Sequence, residues 1–157
     1  MAKVSDFGLS KTFYDNVRYK KRFRHYVPWK WMAIEYLKDA CFTMKSDVWS
    51  YGVVLWEIFS LGQEPYAGKS IEEVISLIKT GYRLPCPEEV VDVAWADDVY
   101  NDVMRKCWDA DPSTRCSFGE IVNSLEKLMD SEELTEYRDC SDKCRSMKEL
   151  MLDDSTR

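Results

Sequence analysis

A mainly α-helical domain is what this chain predicts, on three observations. Ser70-Ile71-Glu72-Glu73 and Ser117-Phe118-Gly119-Glu120 each have the Ser-x-x-Glu spacing of a capping box, and each opens a stretch with apolar residues at helical intervals. In such a box the Ser oxygen and the Glu carboxylate satisfy backbone amides that the first helical turn leaves without partners. Between Ser46 and Gly62, Val48, Trp49, Val53, Trp56, Ile58 and Phe59 are spread around most of the helical circumference, the pattern of a helix buried in a core. With 157 residues, 45% of them apolar and six of them Trp, the length suits one domain with its own core.

Taken in order, Ala2 to Ser5 reads as the end of a short strand feeding a turn at Asp6-Phe7-Gly8, and residues 9 to 32 lack sustained periodicity. A structureless loop of that length inside a compact domain is uncommon and usually functional. The helix from Ser46 is expected to be central and to stop at Gly62. The helix opened by Ser70 turns Ile71, Val74, Ile75 and Ile78 inward and stops at Gly81. Asp97 or Asp98 opens the next, with Val99, Tyr100, Val103, Met104 and Cys107 inward until Asp111-Pro112. Proline breaks it by removing an amide donor and clashing with the preceding turn. The last helix, from Ser117, presents Ile121, Val122, Leu125, Leu128 and Met129 to the core. About four main helices therefore follow a long loop. Residues 131–157 are charged and lose the pattern, reading as a mobile tail in which Met147, Leu150 and Met151 make a short amphipathic turn.

Composition narrows the classes. No window approaches the roughly 18 uninterrupted apolar residues of a spanning helix, and no signal peptide is evident, so the chain by itself is expected to be soluble. The six cysteines, Cys41, Cys86, Cys107, Cys116, Cys140 and Cys144, are scattered, and without a secretory signal they are expected as free thiols. Only Cys140 and Cys144 are close in sequence, and the one histidine, His25, is far from them. No zinc ligand set emerges, and a structural metal is not expected. The net charge of −6 conceals a basic run of Arg18, Lys20, Lys21, Arg22 and Arg24. Its bland reading is a solvated loop able to graze nucleic acid. Tyr14 and Tyr19 beside it favour another role for the run, and no nucleic-acid partner is expected.

The motifs go further than the helices. Asp6-Phe7-Gly8 is followed by Pro28-Trp29-Lys30-Trp31-Met32, then Ala33-Ile34-Glu35, then Ser46-Asp47-Val48-Trp49-Ser50-Tyr51-Gly52. Trp56-Glu57-Ile58-Phe59-Ser60-Leu61-Gly62, Pro65-Tyr66 and Cys107-Trp108-Asp109-Ala110-Asp111-Pro112-Ser113-Thr114-Arg115 complete the series. Singly such tripeptides are common. In this order, over residues 2 to about 130, they resemble the C-terminal lobe of a receptor-type protein tyrosine kinase. The later segments bring the match close to receptors for platelet-derived and vascular endothelial growth factors, with a torso-like receptor as another candidate.

The resemblance assigns roles. Asp6 would hold the Mg2+ that bridges the phosphates of ATP, and Phe7 and Gly8 would form the conformational switch of the activation loop. A carboxylate on a tight glycine turn suits that task, because phosphoryl transfer concentrates charge that a hard cation neutralises. Tyr19 and Tyr14 read either as activation-loop phosphorylation sites or as exposed loop aromatics; phosphorylation would place about two negative charges amid the basic run. Pro28, Lys30, Trp31 and Met32 correspond to the platform that holds a substrate tyrosine. Glu35 and Arg115 would form a buried bidentate pair anchoring the end of the loop to the helical core. Trp49 would be a further structural anchor. Asp47 reads either as a scaffold accepting hydrogen bonds from the catalytic loop or as an acidic residue facing a helix dipole. Four positions depart from the family: Tyr26 where Arg is frequent, Trp29 where a small aliphatic is usual, and Ile34 and Cys116 where Pro is usual.

The implied activity is transfer of the terminal phosphoryl of ATP to protein tyrosines in transmembrane signalling, at the cytoplasmic side of the plasma membrane. The implied partners are protein tyrosine substrates, a second receptor in a dimer, and phosphotyrosine-binding adaptors. Tyr137, in the tail, reads equally as an adaptor docking site and as an ordinary exposed tyrosine. The family's Gly-rich loop, phosphate-pairing Lys, regulatory-helix Glu and His-Arg-Asp loop all belong before Asp-Phe-Gly, where only Met1 to Ser5 stand. Residues 1–130 are therefore expected to form a partial kinase domain without activity by itself. A non-catalytic protein-binding module is the alternative from another class.

Overall fold

The computed structural model describes residue 5, the backbone of residues 19–20, and residues 27–87 and 96–129. Helices dominate, as the sequence predicts, and they gather around α2 (Met44–Phe59). Before it come a two-residue strand β1 (Tyr19–Lys20), a 3-10 turn (Trp29–Trp31), the short helix α1 (Ile34–Asp39) and a second strand β2 (Cys41–Phe42). After it come α3 (Ile71–Lys79), a helical stretch made of α4 (Ala96–Val99), a π-helical segment (Tyr100–Met104) and α5 (Arg105–Cys107), and finally α6 (Phe118–Leu128). The strands β1 and β2 pair antiparallel, Tyr19 opposite Phe42 and Lys20 opposite Cys41, so the segment read as a structureless loop contains backbone tied to the chain beyond α1.

Both predicted capping boxes form. Ser70 N–H donates to Glu73 Oε2 at 2.7 Å and Glu73 N–H to Ser70 Oγ at 3.2 Å. Ser117 N–H donates to Glu120 Oε2 at 2.8 Å and Glu120 N–H to Ser117 Oγ at 3.2 Å. A third box opens α2, where Thr43 and Ser46 exchange the same two bonds, so α2 starts at Met44 rather than Ser46. Its end also differs by one residue from expectation. Leu61 (φ 54°) takes the left-handed position ahead of Gly62 (φ 87°), and the N–H groups of Leu61 and Gly62 return to Ile58 O and Glu57 O, the paired bonds of a Schellman stop.

The core comprises Val48, Trp49, Val53, Leu55 and Trp56 of α2 with Val74, Ile78, Val99, Val103, Met104, Cys107, Trp108 and Ile121. α2 is less enclosed than its composition suggests. Val54 and Ile58 share an outward stripe, and Ile58 is 61% exposed; on α6 Val122 likewise faces out while Ile121 is buried. The tightest approach is at Gly52, where a Cβ would stand 2.7 Å from Cys107 Cβ and 2.7 Å from Trp108 Nε1. Only a glycine lets α2 lie this close to α5.

The stretch from Ala96 reaches Cys107 through a π segment rather than a regular helix. The wider turn keeps Val99, Val103, Met104 and Cys107 all buried, which a strict 3.6-residue period would spread over a broader arc. α5 ends at Cys107, ahead of Pro112, and Asp111 then organises a turn by accepting from Ser113 N–H and Ser113 Oγ, both at 2.8 Å.

Candidate functional site

Glu35, on the first turn of α1, and Arg115, on the loop before α6, meet as the sequence predicts. Arg115 Nη1 donates to Glu35 Oε1 at 2.8 Å and Nη2 to Glu35 Oε2 at 3.0 Å. The remaining donors are also used: Nη1 reaches Lys45 O at 2.6 Å, while Nη2 and Nε reach Asp109 O at 3.0 and 3.1 Å. All five guanidinium N–H groups therefore have acceptors, as a cation with a fully buried side chain requires. Ser46 Oγ adds a bond to Glu35 Oε1 at 3.1 Å, and Lys45 Nζ donates to the Arg115 carbonyl.

Trp49 forms a side of the same site. The guanidinium carbons of Arg115 and Arg83 each lie 5.1 Å from its ring centroid, within cation–π range. Burial lowers the pKa of Arg83, and three carbonyls hold its charge: Trp108 O at 2.6 Å, Tyr82 O at 2.7 Å and Ile78 O at 3.2 Å. Arg83, Lys45, Ser46 and Asp109 are members of this site that sequence reasoning missed. Lys45 and Asp109 accept from Arg115 through their carbonyls, Lys45 also donates its Nζ to the Arg115 carbonyl, and Ser46 reaches Glu35 through its hydroxyl; no motif names these partners.

The segment Pro28 to Met32 is gripped rather than free. Its 3-10 turn closes with Trp31 N–H on Pro28 O and Met32 N–H on Trp29 O, both at 3.1 Å. From α2, Ser50 Oγ donates to Trp31 O at 2.7 Å, and Glu57 Oε2 accepts from Trp31 Nε1 at 3.1 Å. Lys30 Nζ pairs with Glu64 at 2.8 Å and lies 5.4 Å from the Trp29 ring centroid. Met32 is buried beneath the turn, and Pro28 is exposed at its start. Ser50, Glu57 and Glu64 are thus positioning residues for this segment, each distant from it in sequence.

Asp47 stands exposed on the first turn of α2. The protein packed behind it partly desolvates its carboxyl and raises the pKa above the ordinary 3.8. Tyr19 is placed only by its backbone in β1. Asp6, Phe7, Gly8, Tyr14, Tyr26 and Tyr137, together with residues 2–4 of the predicted strand end Ala2 to Ser5 and the tail 131–157, lie outside the described residues. Among the described residues no group of three or more His, Cys, Asp or Glu is placed to hold a metal ion, and no helix is long and apolar enough to cross a membrane.

Comparison with known proteins finds relatives that match most of the chain. The chain is 37% identical over 144 residues to fibroblast growth factor receptors of Ciona intestinalis and of Halocynthia roretzi, covering 92% of this chain and 18% of each relative. It is 40% identical over 139 residues to fibroblast growth factor receptor 1 of Pleurodeles waltl, covering 88% of this chain and 16% of the relative. The chain thus spans less than a fifth of the length of these curated relatives. The expected likeness to platelet-derived or vascular endothelial growth factor receptors, or to a torso-like receptor, is not supported; the similarity is to fibroblast growth factor receptors instead. The segments that suggested the former include Trp56, Cys107 and Trp108, which are buried in the core, so they report the fold rather than the subfamily. The profile described as protein tyrosine and serine/threonine kinase matches residues 1–125, and the chain belongs to that family.

Proposed function

We propose that this chain is the C-terminal portion of the kinase domain of a receptor protein tyrosine kinase, of the kind found in fibroblast growth factor receptors, and that the whole protein moves the terminal phosphoryl of ATP to tyrosines of other proteins. The observation that carries this reading is the clamped turn at residues 28–32, held from α2 by Ser50 and Glu57 and ending at the Glu35 to Arg115 anchor. A surface that must present a flexible peptide needs its own backbone fixed beforehand. Here the grip falls on Trp31 and Lys30, within the segment whose sequence resembles the substrate platform of tyrosine kinases. Tyr19 and Tyr14 are its regulatory tyrosines in this reading. Receptor dimerisation, phosphotyrosine-binding adaptors and a place at the cytoplasmic face of the plasma membrane follow from the same reading.

Magnesium, when bound, would neutralise the phosphate oxygens. Asp6, its proposed ligand, lies outside the described residues, so no step here passes through the metal. What the described residues do is hold the platform and anchor its end. The test is made on the full-length protein that carries this chain. With ATP and magnesium it should phosphorylate a tyrosine-containing peptide, lose that activity on Asp6→Ala with an unchanged melting curve, and weaken in KM on Trp31→Ala. Sequencing the transcript upstream of Met1 supplies a second check: an in-frame His-Arg-Asp segment supports the enzyme. Full-length protein that binds peptide but never phosphorylates it would establish the non-catalytic binding module instead.

A further inference from the structure

We propose that Cys107 and Cys116 form a two-electron redox pair, a modification site at which a hydroperoxide converts two thiols into a disulfide that closes the segment carrying Arg115. Their sulfurs lie 3.9 Å apart, about 1.9 Å beyond a disulfide bond length of ~2.05 Å. Cys107 is fully buried at the end of α5, wedged against Gly52 of α2, where a Cβ would meet its own Cβ at 2.7 Å. Cys116 is half-buried and follows Arg115 directly, leading into the Ser117 cap. The wedged sulfur is fixed, and the more accessible one is free to approach it. Cys86, another described thiol, turns instead to Asp97 at 3.5 Å.

The chemistry closes without a further reactant. The Cys116 thiolate attacks one oxygen of the hydroperoxide, the O–O bond breaks, and a sulfenic acid forms as the other oxygen leaves as an alcohol, or as water from hydrogen peroxide. The Cys107 sulfur then attacks the Cys116 sulfur, forming the S–S bond, and the expelled hydroxide leaves as water with the remaining thiol proton. The two sulfurs lose two electrons and the peroxide gains them. Burial pushes both thiols above their ordinary range, Cys107 the further. Thiolate is therefore scarce near neutral pH, and the pair answers sustained rather than brief oxidant. Closing residues 107–116 restricts the unfolded chain and tethers the segment whose Arg115 bonds Glu35 and Lys45.

Trypsin cuts after Lys106, Arg115 and Lys127, so residues 107–115 and 116–127 separate unless a disulfide joins them. The full chain is treated with hydrogen peroxide, alkylated and digested without reductant. A linked pair two hydrogens lighter than the sum of its peptides is expected, together with a rise in Tm on the order of 5–10 °C. Both should vanish with dithiothreitol and in Cys116→Ala. Oxidation in guanidinium chloride should scatter linkages among the roughly 15 pairings that six cysteines allow. Recovery of Cys107 and Cys116 singly alkylated after native oxidation, linkage no more frequent in buffer than in denaturant, or linkage without a rise in Tm would each overturn the assignment.

Discussion

Arg115→Met removes the guanidinium and keeps most of the side-chain length. The structure says what is then stranded: the Glu35 carboxylate, whose side chain is 15% exposed, and the carbonyls of Lys45 and Asp109. Removing one partner of a buried pair costs about 3–5 kcal/mol, because the other charge stays buried and unpaired. The bond from Ser46 Oγ to Glu35 survives and favours the lower part of that range. Against a typical domain stability of about 5–15 kcal/mol this is a large fraction. With a urea slope of roughly 1–3 kcal/mol/M, the midpoint should fall by about 1–4 M at unchanged slope. Tryptophan fluorescence follows the transition, since Trp49 lies against the deleted group. Glu35→Gln completes a double-mutant cycle with an expected coupling above about 1 kcal/mol. A loss for Arg115→Met below about 1 kcal/mol, or additivity in the cycle, would show that the pair behaves as an exposed one and that the anchor lies elsewhere.

Two further outcomes follow from packing and titration. Gly52→Ala drives a methyl into Cys107 and Trp108, both buried, and should cost about 1–3 kcal/mol, lowering Tm by roughly 2–12 °C in a thermal melt. Glu73 and Glu120 are held below the ordinary 4.5, first by the backbone N–H groups of Ser70 and Ser117 and then by their hydroxyls. A depressed carboxyl stabilises the fold above its unfolded pKa and loses that contribution as pH falls through the folded one. Melting curves should therefore decline below about pH 4.5, and the double variant Glu73→Gln with Glu120→Gln should decline less between pH 5 and pH 3; an unchanged slope would contradict the assignment.

What the sequence disclosed follows the reach of each signal. Ser70 and Ser117 were legible because a Glu three residues on completes the usual box, whereas the Thr43 box was missed because Ser46 takes the Glu's place. α1 begins after Ala33, which makes no side-chain cap bond, so nothing local announced it. The π segment has no signature in a pattern read at 3.6 residues per turn. The Glu35 to Arg115 pair was legible only through the family resemblance, being separated by 80 positions. The grips of Ser50, Glu57 and Glu64 on the 28–32 turn are likewise long-range, and each of those residues reads as an ordinary helix or loop polar residue.

Those grips share a geometry that local patterns hide. Ser46, Ser50 and Glu57 fall at intervals of four and seven residues, which places them on one stripe of α2. The first bonds Glu35, and the other two bond Trp31 through its carbonyl and its indole. One helix face thus fixes both Glu35 and the 28–32 turn, and the two bonds to Trp31 should depend on one another. Ser50→Ala leaves the Trp31 carbonyl without that donor at a cost of about 1 kcal/mol, and Trp31→Phe loses the bond to the Glu57 carboxylate at a cost of about 1.5 kcal/mol. Either loss frees the same residue to shift, so less remains for the second to remove. The double variant should fall short of the sum by at least about 0.5 kcal/mol in urea denaturation. Strict additivity would mean that the carbonyl and the indole are held independently, and that α2 does not act as a common rail for the 28–32 turn.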